Sequence, residues 1–222
     1  MAVKDSGETR RRPLSRDRIV QAALDIVDRE GLAALNMRRL ADDAGLRPMT
    51  LYHHFPNKGA ILDAVSESIA AGALSRGRTE EGAWRGRVRA LFAGLHELIR
   101  THPRALPLIS TAVLRTPSGR RWMEELMGVL LEAGFTVDEA ARAYHLLGGY
   151  TLGLGYARML SLEVSPAAIA GELVGHWPDY PSMLRVGMRL AIWDRPGEYE
   201  DGFEALLAAL APAAPAPPAA PA

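Results

Sequence analysis

The sequence contains no cysteine, and this excludes several kinds of chemistry at once. Without thiols the chain forms no disulfide bond, no thiolate zinc site and no cysteine nucleophile. It also lacks a long apolar run, since the longest uncharged stretch of its apolar middle covers only residues 143–157 and is rich in glycine. A membrane-spanning helix needs roughly 20 apolar residues, and the polar segment 2–13 is unlike a signal peptide. We therefore expect a soluble, cytoplasmic protein with no membrane partner.

The chain also lacks a net charge, because 26 Lys and Arg balance 26 Asp and Glu. Their distribution is uneven, however. Residues 1–58 hold eleven Lys and Arg against eight Asp and Glu, a net of +3, which leaves −3 for the remainder. Arg10, Arg11 and Arg12 concentrate this excess near the N-terminus. This basic segment is either a solvated arm or a contact to DNA phosphates, and the sequence leaves both open.

The signatures of common enzyme sites are missing as well. His96 begins a zinc-protease-like pattern, but Arg100 stands where the second histidine of such a site is needed. The adjacent His53 and His54 lie about 100° apart around a helix and do not readily chelate one metal ion. The sequence has no Gly-x-Ser-x-Gly elbow and no glycine-rich phosphate loop with lysine. We expect no catalytic residue, no resident metal site and no cofactor.

A helix-turn-helix pattern that begins at Asn36 is the most informative feature of the chain. Asn36 is a good helix N-cap, and Gly45 stands where a helix commonly ends on a left-handed residue. Pro48 then suits the first position of a new helix, in which Leu51 and Phe55 are spaced to bury against the first helix. In a helix-turn-helix unit of this kind, the second helix enters the DNA major groove.

Flanking helices are predicted to complete a small DNA-binding domain. Upstream, Ser15 is a candidate cap, and apolar residues recur at helical spacing over 19–27 until Gly31 ends the helix. Downstream, a further helix begins at Asn57. A helix-turn-helix pair alone is too small to bury a core, so this last helix supplies the missing wall. Beyond it the periodicity stays helical and no strand pattern appears, which predicts an all-α protein.

Residues 14–65 resemble the N-terminal domain of the TetR family of transcriptional repressors. The resemblance rests on short motifs in a fixed order: Ser-Arg-Asp-Arg-Ile-Val from Ser15, Glu-Gly-Leu from Glu30, Arg-Arg-Leu-Ala from Arg38, Ala-Gly-Leu from Ala44, Thr-Leu-Tyr-His-His-Phe from Thr50 and Asn-Lys from Asn57. It implies a ligand-responsive regulator, most simply a repressor, that binds a palindromic operator as a homodimer and leaves it when a small-molecule effector binds. The alternative is an effector-independent or architectural DNA-binding protein, against which the long apolar second half argues.

The same resemblance assigns DNA contacts by position. They fall on Arg38, Arg47, Pro48, Met49, Thr50, Tyr52, His53, His54 and Lys58. The first residues of the recognition helix, Arg47–Thr50, should contact base edges, and Arg38 a phosphate or a guanine edge. Tyr52 and His53 should contact phosphate or sugar, the histidine that follows is open to either role, and Lys58 should hold a phosphate. Tetracycline repressors usually have Gln-Pro at the start of this helix, so their base preference does not transfer.

The rest of the chain is predicted to form a larger helical regulatory and dimerisation domain. Apolar stripes at helical spacing fall within residues 88–99, 122–133, 137–162 and 199–210. We place the DNA-binding domain at 13–73, the regulatory domain at 74–211 and a Pro/Ala tail, expected to be disordered or extended, at 212–222.

This second half is similar to the regulatory domain of the tetracycline repressors. The similarity lies in the long helix from Val137, the Trp-Pro-Asp-Tyr-Pro loop from Trp177 and the last helix from Tyr199, and it implies a homodimer built on a four-helix bundle. Each interior glycine costs a helix roughly 1 kcal/mol relative to alanine, so Gly149 and Gly153 indicate a close helix crossing. The sequence leaves open whether that crossing lies in the monomer core or on a self-association face.

The effector site is defined at this point only by candidates. Apolar candidates that would serve equally well as core are Leu91, Leu95, Leu126 and Tyr144. Candidates to orient a ligand are His96, His102, Arg104, Trp122 and His145. The polar set with which tetracycline repressors hold drug and magnesium is not matched, and whether a metal ion accompanies the effector stays open.

Overall fold

The computed structural model describes residues 15–77, 82–163, 165, 167–168, 171–172, 180–190 and 197–212. No strand appears within these ranges, and the predicted all-α class is confirmed. The helices are α1 Arg16–Glu30, α2 Met37–Asp43, α3 Pro48–His54, α4 Lys58–Gly77, α5 Trp84–Thr101, α6 Leu106–Arg115, α7 Pro117–Glu132, α8 Val137–Ser161, α9 Pro181–Leu190 and α10 Glu198–Ala209, with a 3-10 turn at Pro103–Ala105 between α5 and α6. The basic segment 10–12, residues 177–179 of the predicted loop and residues 213–222 of the tail lie outside the described ranges.

Side-chain caps fix the starts of several helices. The Asn36 side chain accepts a hydrogen bond of 2.9 Å from the Arg39 amide, which confirms the predicted cap of α2. Thr136 and Glu139 form a reciprocal capping box at the start of α8. Ser15 stands at the N-cap of α1, but its side chain makes no capping bond. Its main-chain carbonyl accepts from the amide of the first turn instead.

Helices α1 to α4 enclose the core of the N-terminal part. Among its apolar side chains that are at most 1% exposed are Ile19, Leu40, Leu51, Phe55 and Ile61. Burial of an apolar side chain of this size contributes roughly 1.5–3 kcal/mol each. The last of them lies on α4, so α4 forms the wall that the helix-turn-helix pair lacks.

Helix α4 joins the two parts of the molecule. It runs without a break from Lys58 to Gly77 and contacts α1 on one side and α5, α6 and α7 on the other. The boundary predicted at residues 73 and 74 therefore falls inside one continuous helix. A single buried apolar cluster extends from Ile19 in α1 to Leu207 in α10, so the two parts share one continuous core that α4 crosses.

The last helix, α10, closes the regulatory part against α5 and α8. Tyr199, Phe203 and Leu207 are its buried residues, as the amphipathic pattern predicts. The Tyr199 hydroxyl lies 3.2 Å from the Thr151 hydroxyl and donates to the Phe92 carbonyl at 3.4 Å. Burial raises the pKa of Tyr199 far above its ordinary value, so the ring stays neutral and acts as a packed core residue.

Candidate nucleic-acid interface and ligand cavity

The turn between α2 and α3 determines where α3 begins. Gly45 has a φ of +64°, a left-handed conformation that a side chain would strain. Its amide donates to Asp42 at 3.1 Å, and the Leu46 amide donates to Ala41 at 2.8 Å. This pair of bonds is the Schellman end of a helix. Pro48 then occupies the first turn of α3, where no amide donor is required.

The two faces of α3 are sharply different. Leu51 and the adjoining Phe55 are fully buried, whereas Met49 and Tyr52 are 69% and 47% exposed. Seven of the residues that the sequence resemblance assigns to DNA are exposed on and beside α3, and we name them the DNA-reading face after that expectation: Arg38, Arg47, Pro48, Met49, Thr50, Tyr52 and His53. His54 and Lys58, the other two residues assigned to DNA, are half-buried at its edge. An exposed large apolar side chain such as Met49 has no folding role here.

Neighbouring arginines at the start of α2 have different partners. Arg39 binds Asp43 at 2.9 Å and Glu30 at 2.7 Å, and its hydrogen bond to Asp43 is the main cause that raises its pKa. Arg38 makes no hydrogen bond or ion pair within the described residues, and the same is true of the Arg47 side chain. The guanidinium groups of Arg38 and Arg47 are therefore exposed on the DNA-reading face, whereas Arg39 links α2 to α1 through its ion pair with Glu30.

A contact from α1 holds the C-terminal end of α3, and a contact from α4 holds the loop between α1 and α2. The Arg16 guanidinium lies 4.3 Å from the centre of the Phe55 ring and donates to the His54 carbonyl at 3.4 Å. The Lys58 ammonium donates to the Leu32 carbonyl at 3.1 Å. An ammonium has three N–H donors, so Lys58 keeps two for another partner.

Two effector candidates lie elsewhere, at the junction between α1 and the segment after α5. His102 Nδ1 is 2.7 Å from the Asp28 carboxylate, and Arg104 donates to the Asp28 carbonyl at 3.0 Å. Both side chains thus link α1 to the segment between α5 and α6, and neither lines the two cavities described next. A separate ion pair, from Arg115 of α6 to Asp63, links α6 to α4.

Two apolar cavities lie among α4 to α8. The first, of about 30 Å³, lies between α4, α5, α6 and α7, and we call it the α4 lobe. The second, also of about 30 Å³, extends towards α8 and is called the α8 lobe. Four residues line both: Leu95, Ile109, Val113 and Trp122. Tyr144 lines the α8 lobe, so three of the nine effector candidates, Leu95, Trp122 and Tyr144, meet here.

The remaining candidates are placed outside the lobes. Leu91 and Leu126 are buried in the core and line neither lobe. His96 is half-buried and stacks on Tyr199, with ring centroids 3.5 Å apart and planes 10° from parallel. Burial is the main cause that lowers its pKa. His145 is exposed on the outer side of α8.

Most residues that line the two lobes were not among the effector candidates predicted from the sequence. Ile69, Ala70 and Ala73 come from α4, and Ile109 and Val113 from α6. These are apolar residues at ordinary helical spacing, and that pattern is the same for a packed core and for a cavity wall. Only the placement of the helices distinguishes the two.

One face of α8 is unoccupied by the rest of the described chain. An added Cβ at Gly149 or Gly153 would meet no atom within 4 Å, whereas at Gly155 it would lie 2.5 Å from a methyl group of Ile99. Among the described residues, the close crossing of α8 is therefore at Gly155, and Gly149 and Gly153 are exposed rather than buried in the core of the monomer. Tyr156, on the same outer face, is 54% exposed.

Two family models match this chain. Residues 19–65 match "Bacterial regulatory proteins, tetR family", and residues 76–211 match "Tetracyclin repressor-like, C-terminal domain". The chain belongs to the TetR family. Both halves of the resemblance read from the sequence motifs are thereby confirmed.

Similar TetR proteins are transcriptional regulators. The chain is 31% identical over 163 residues to the HTH-type transcriptional repressor DrrR1 of Streptomyces coeruleorubidus, a match that covers 70% of this chain and 60% of that protein. It is 30% identical over 182 residues to an HTH-type transcriptional regulator of Saccharopolyspora erythraea, covering 79% of this chain and 76% of the relative.

Solved TetR structures have the same fold. A possible TetR family transcriptional regulator from Streptomyces coelicolor A3(2) superposes with a TM-score of 0.72 at 29% identity, covering 87% of this chain and 97% of the other. ActR from Streptomyces coelicolor, solved in complex with actinorhodin, gives 0.67 at 27% identity, covering 89% and 96%. Among the described residues of this chain, no helix is long and apolar enough to cross a membrane.

Proposed function

We propose that this TetR-family chain is a ligand-responsive transcriptional repressor that acts in the cytoplasm on a palindromic operator. The observation that carries the proposal is the DNA-reading face. On and beside α3 it presents two arginines that have no partner among the described residues, two hydroxyl groups and two aromatic rings. Leu51 and Phe55 anchor the other side of α3 in the core. Polar and cationic groups of this kind are those that bond base edges and phosphates.

The proposed contacts divide into two sets. Arg47, Pro48, Met49 and Thr50 at the start of α3 read base edges, as the first residues of a recognition helix do. Contacts to the DNA backbone come from Tyr52, His53 and Lys58, with Arg38 reaching a phosphate or a guanine and His54 open to either role. The exposure of the first set and the half-buried position of Lys58 at the edge support this division.

A homodimer is supported by the outer face of α8. Residues on this face recur at alternating steps of four and three: Arg142, Leu146, Gly149, Gly153, Tyr156 and Leu160, all of them exposed in the single chain. That spacing produces a continuous seam along a helix, and it suits packing against a second helix. Met183 and Val186 of α9 are exposed apolar side chains as well. Two α8–α9 pairs across a two-fold axis would form the implied four-helix bundle.

Effector release is proposed to act through α4. The α4 lobe lies against Ile69, Ala70 and Ala73, while the first residue of the same helix is Lys58. An effector that binds the lobes more tightly in one placement of α4 shifts the population of dimers towards it, because differential affinity is what drives such a change. ActR is a structural relative solved with a bound ligand.

The test is selection of DNA by the purified full-length protein. Sheared genomic DNA, sequenced before and after capture by the protein, should yield a small number of enriched sites with two-fold sequence symmetry. A matched control is Arg100→Ala, which removes one exposed positive charge of the regulatory part, where Arg100 pairs with Glu97. It should select the same sites as the parent, whereas Arg47→Ala should not. Enrichment without a shared sequence would contradict the proposal.

A further inference from the structure

The two lobes contain almost no polar atoms. The α4 lobe is lined by aliphatic side chains, one glycine and Trp122, whose indole N–H already donates to the Leu91 carbonyl at 3.3 Å. In the α8 lobe the polar side-chain groups besides that indole are the Ser110 and Tyr144 hydroxyls. Neither lobe is lined by a charged side chain or by an imidazole.

This lining determines which ligands lose the least solvation free energy when they leave water for the lobes. An ionised group would leave water for a site with no opposite charge to receive it, which costs several kcal/mol in such surroundings. A divalent metal ion needs carboxylate, imidazole or water ligands. The described residues hold no cluster of three or more His, Cys, Asp or Glu side chains, and the lobes offer none of these groups.

We propose that the two lobes bind an uncharged and largely apolar molecule without a metal ion, with its polar end towards Ser110 and Tyr144. The inference rests on the proposed function only in taking the lobes as the effector site. It names the chemical class of effector, which the sequence left open.

Each lobe is small in the single chain. Its volume of about 30 Å³ holds little more than one water molecule, whereas an apolar cavity that binds benzene has about 150 Å³. The shared side chains Leu95, Ile109, Val113 and Trp122 lie between the lobes. A ligand with a ring therefore enters only where these side chains move aside and the two lobes join, and it then lies against apolar atoms.

The polar end of the ligand is expected at the mouth of the α8 lobe. Ser110 is exposed and Tyr144 half-buried, so this end of the lobe reaches the surface of the chain. The Ser110 hydroxyl donates to the Pro107 carbonyl at 3.2 Å and keeps its lone pairs. The Tyr144 hydroxyl makes no hydrogen bond within the described residues and can donate to a carbonyl oxygen of the ligand.

Two dyes that share the same rings and differ by one charged group test whether the lobes prefer an uncharged ligand. N-phenyl-1-naphthylamine is neutral, and 8-anilino-1-naphthalenesulfonate carries the same rings with one sulfonate. Fluorescence titration of the parent protein should show saturable binding of the neutral dye, at least roughly tenfold tighter than the sulfonate, and unchanged by excess EDTA or Mg²⁺. Equal or tighter binding of the sulfonate, loss with EDTA, or no saturable binding of the neutral dye would each overturn the inference.

Variants show whether the dye occupies the lobes. Gly148 lines the α8 lobe. An added Cβ there would lie in ordinary contact with the Tyr144 ring, whereas one at Gly86 would meet no neighbour. Gly148→Leu should lower the affinity for the neutral dye by roughly tenfold or more, whereas Gly86→Leu should leave that affinity unchanged. If Gly148→Leu fails to fold, Val113→Phe fills the wall shared by both lobes and should act in the same direction. An unchanged affinity in a folded cavity-filling variant would overturn the placement.

Tyr144→Phe tests the polar end with a carbonyl probe. Prodan, a neutral naphthalene with one ketone, should lose roughly threefold to tenfold in affinity in this variant, while the neutral dye without a carbonyl should not. Equal losses for both probes would contradict the hydrogen bond. Capture of genomic DNA, measured in parallel, separates the outcomes: failed dye binding with intact operator binding overturns the ligand class alone, and failed operator binding overturns the proposed function.

Discussion

Arg47 and Lys58 carry the same charge in different surroundings. The Arg47 side chain is exposed at the start of α3 and has no partner within the described residues. The Lys58 ammonium is half-buried and already donates to the Leu32 carbonyl. A planar guanidinium can make two parallel bonds to a guanine edge, whereas an ammonium acts as a point charge that suits a phosphate. The proposed roles of base contact and phosphate contact follow from this difference.

The first prediction separates these two roles. Arg47→Ala should change the preference among operator variants, with a loss of roughly 1–3 kcal/mol at the base pair that it reads. Lys58→Ala should weaken binding to all sequences almost equally and lower the salt slope by about one contact. Fluorescence anisotropy of operator variants over a range of salt concentrations measures both effects.

Arg39→Ala is the control for a general loss of charge near the DNA. Its side chain pairs with Glu30 and Asp43 rather than facing outward, so base preference should stay as in the parent. Because Lys58→Ala also removes a bond to the main chain, its melting temperature must be measured alongside. A uniform effect of Arg47→Ala together with an altered base preference in Lys58→Ala would reverse the assignment.

At the scale of elements, the sequence predicts what depends on local spacing. The cap at Asn36, the turn at Gly45 and the apolar stripe of α10 each involve neighbours within a few positions, and all three are confirmed. His102 and Arg104 could not be placed in this way, because their partner Asp28 lies more than 70 positions earlier in the chain. The lobes were missed for a related reason: a cavity wall and a packed core have the same helical pattern.

The junction at Asp28 gives the second prediction. Asp28→Ala removes the acceptor for His102 at a partly buried site, so the free energy of unfolding should fall by roughly 1–3 kcal/mol. Urea denaturation followed by circular dichroism measures the change. Asp25→Ala on the same helix is the control, since Asp25 is exposed and its hydrogen bond among the described residues is to Gln21 of its own helix. An effect of Asp28→Ala as small as that of the control would show that the junction does not depend on this pair.

At the scale of the whole molecule, the central feature is the open face of α8. Within the described chain nothing packs against Gly149 or Gly153, although interior glycines weaken a helix. A second copy of α8 would explain them, because a missing side chain lets two helix backbones approach closely. The dimer would also set the distance between the two DNA-reading faces.

Gly153→Leu tests this assembly. The added side chain meets no atom of its own subunit, but it would push a partner helix away at a cost of roughly 1–3 kcal/mol per site, and two-fold symmetry makes it act twice. Analytical ultracentrifugation should therefore show weaker dimerisation, and operator affinity should fall with it.

Gly155→Ala provides the contrast for that test. Its Cβ would meet Ile99 inside the subunit, so we expect a lower melting temperature with the monomer–dimer equilibrium unchanged. If Gly153→Leu dimerised as tightly as the parent, the assignment of the dimer interface to α8 would be wrong.

The most direct measurement of the central claim is a footprint on an operator enriched from genomic DNA, combined with the number of chains bound. The account predicts two chains per site and two equivalent protected half-sites, related by a dyad, with centres about 34–36 Å apart or a multiple of that distance. Binding should weaken steeply as salt rises, since each neutralised phosphate releases counterions. Protection of a single asymmetric site by one chain, with affinity independent of salt, would contradict it.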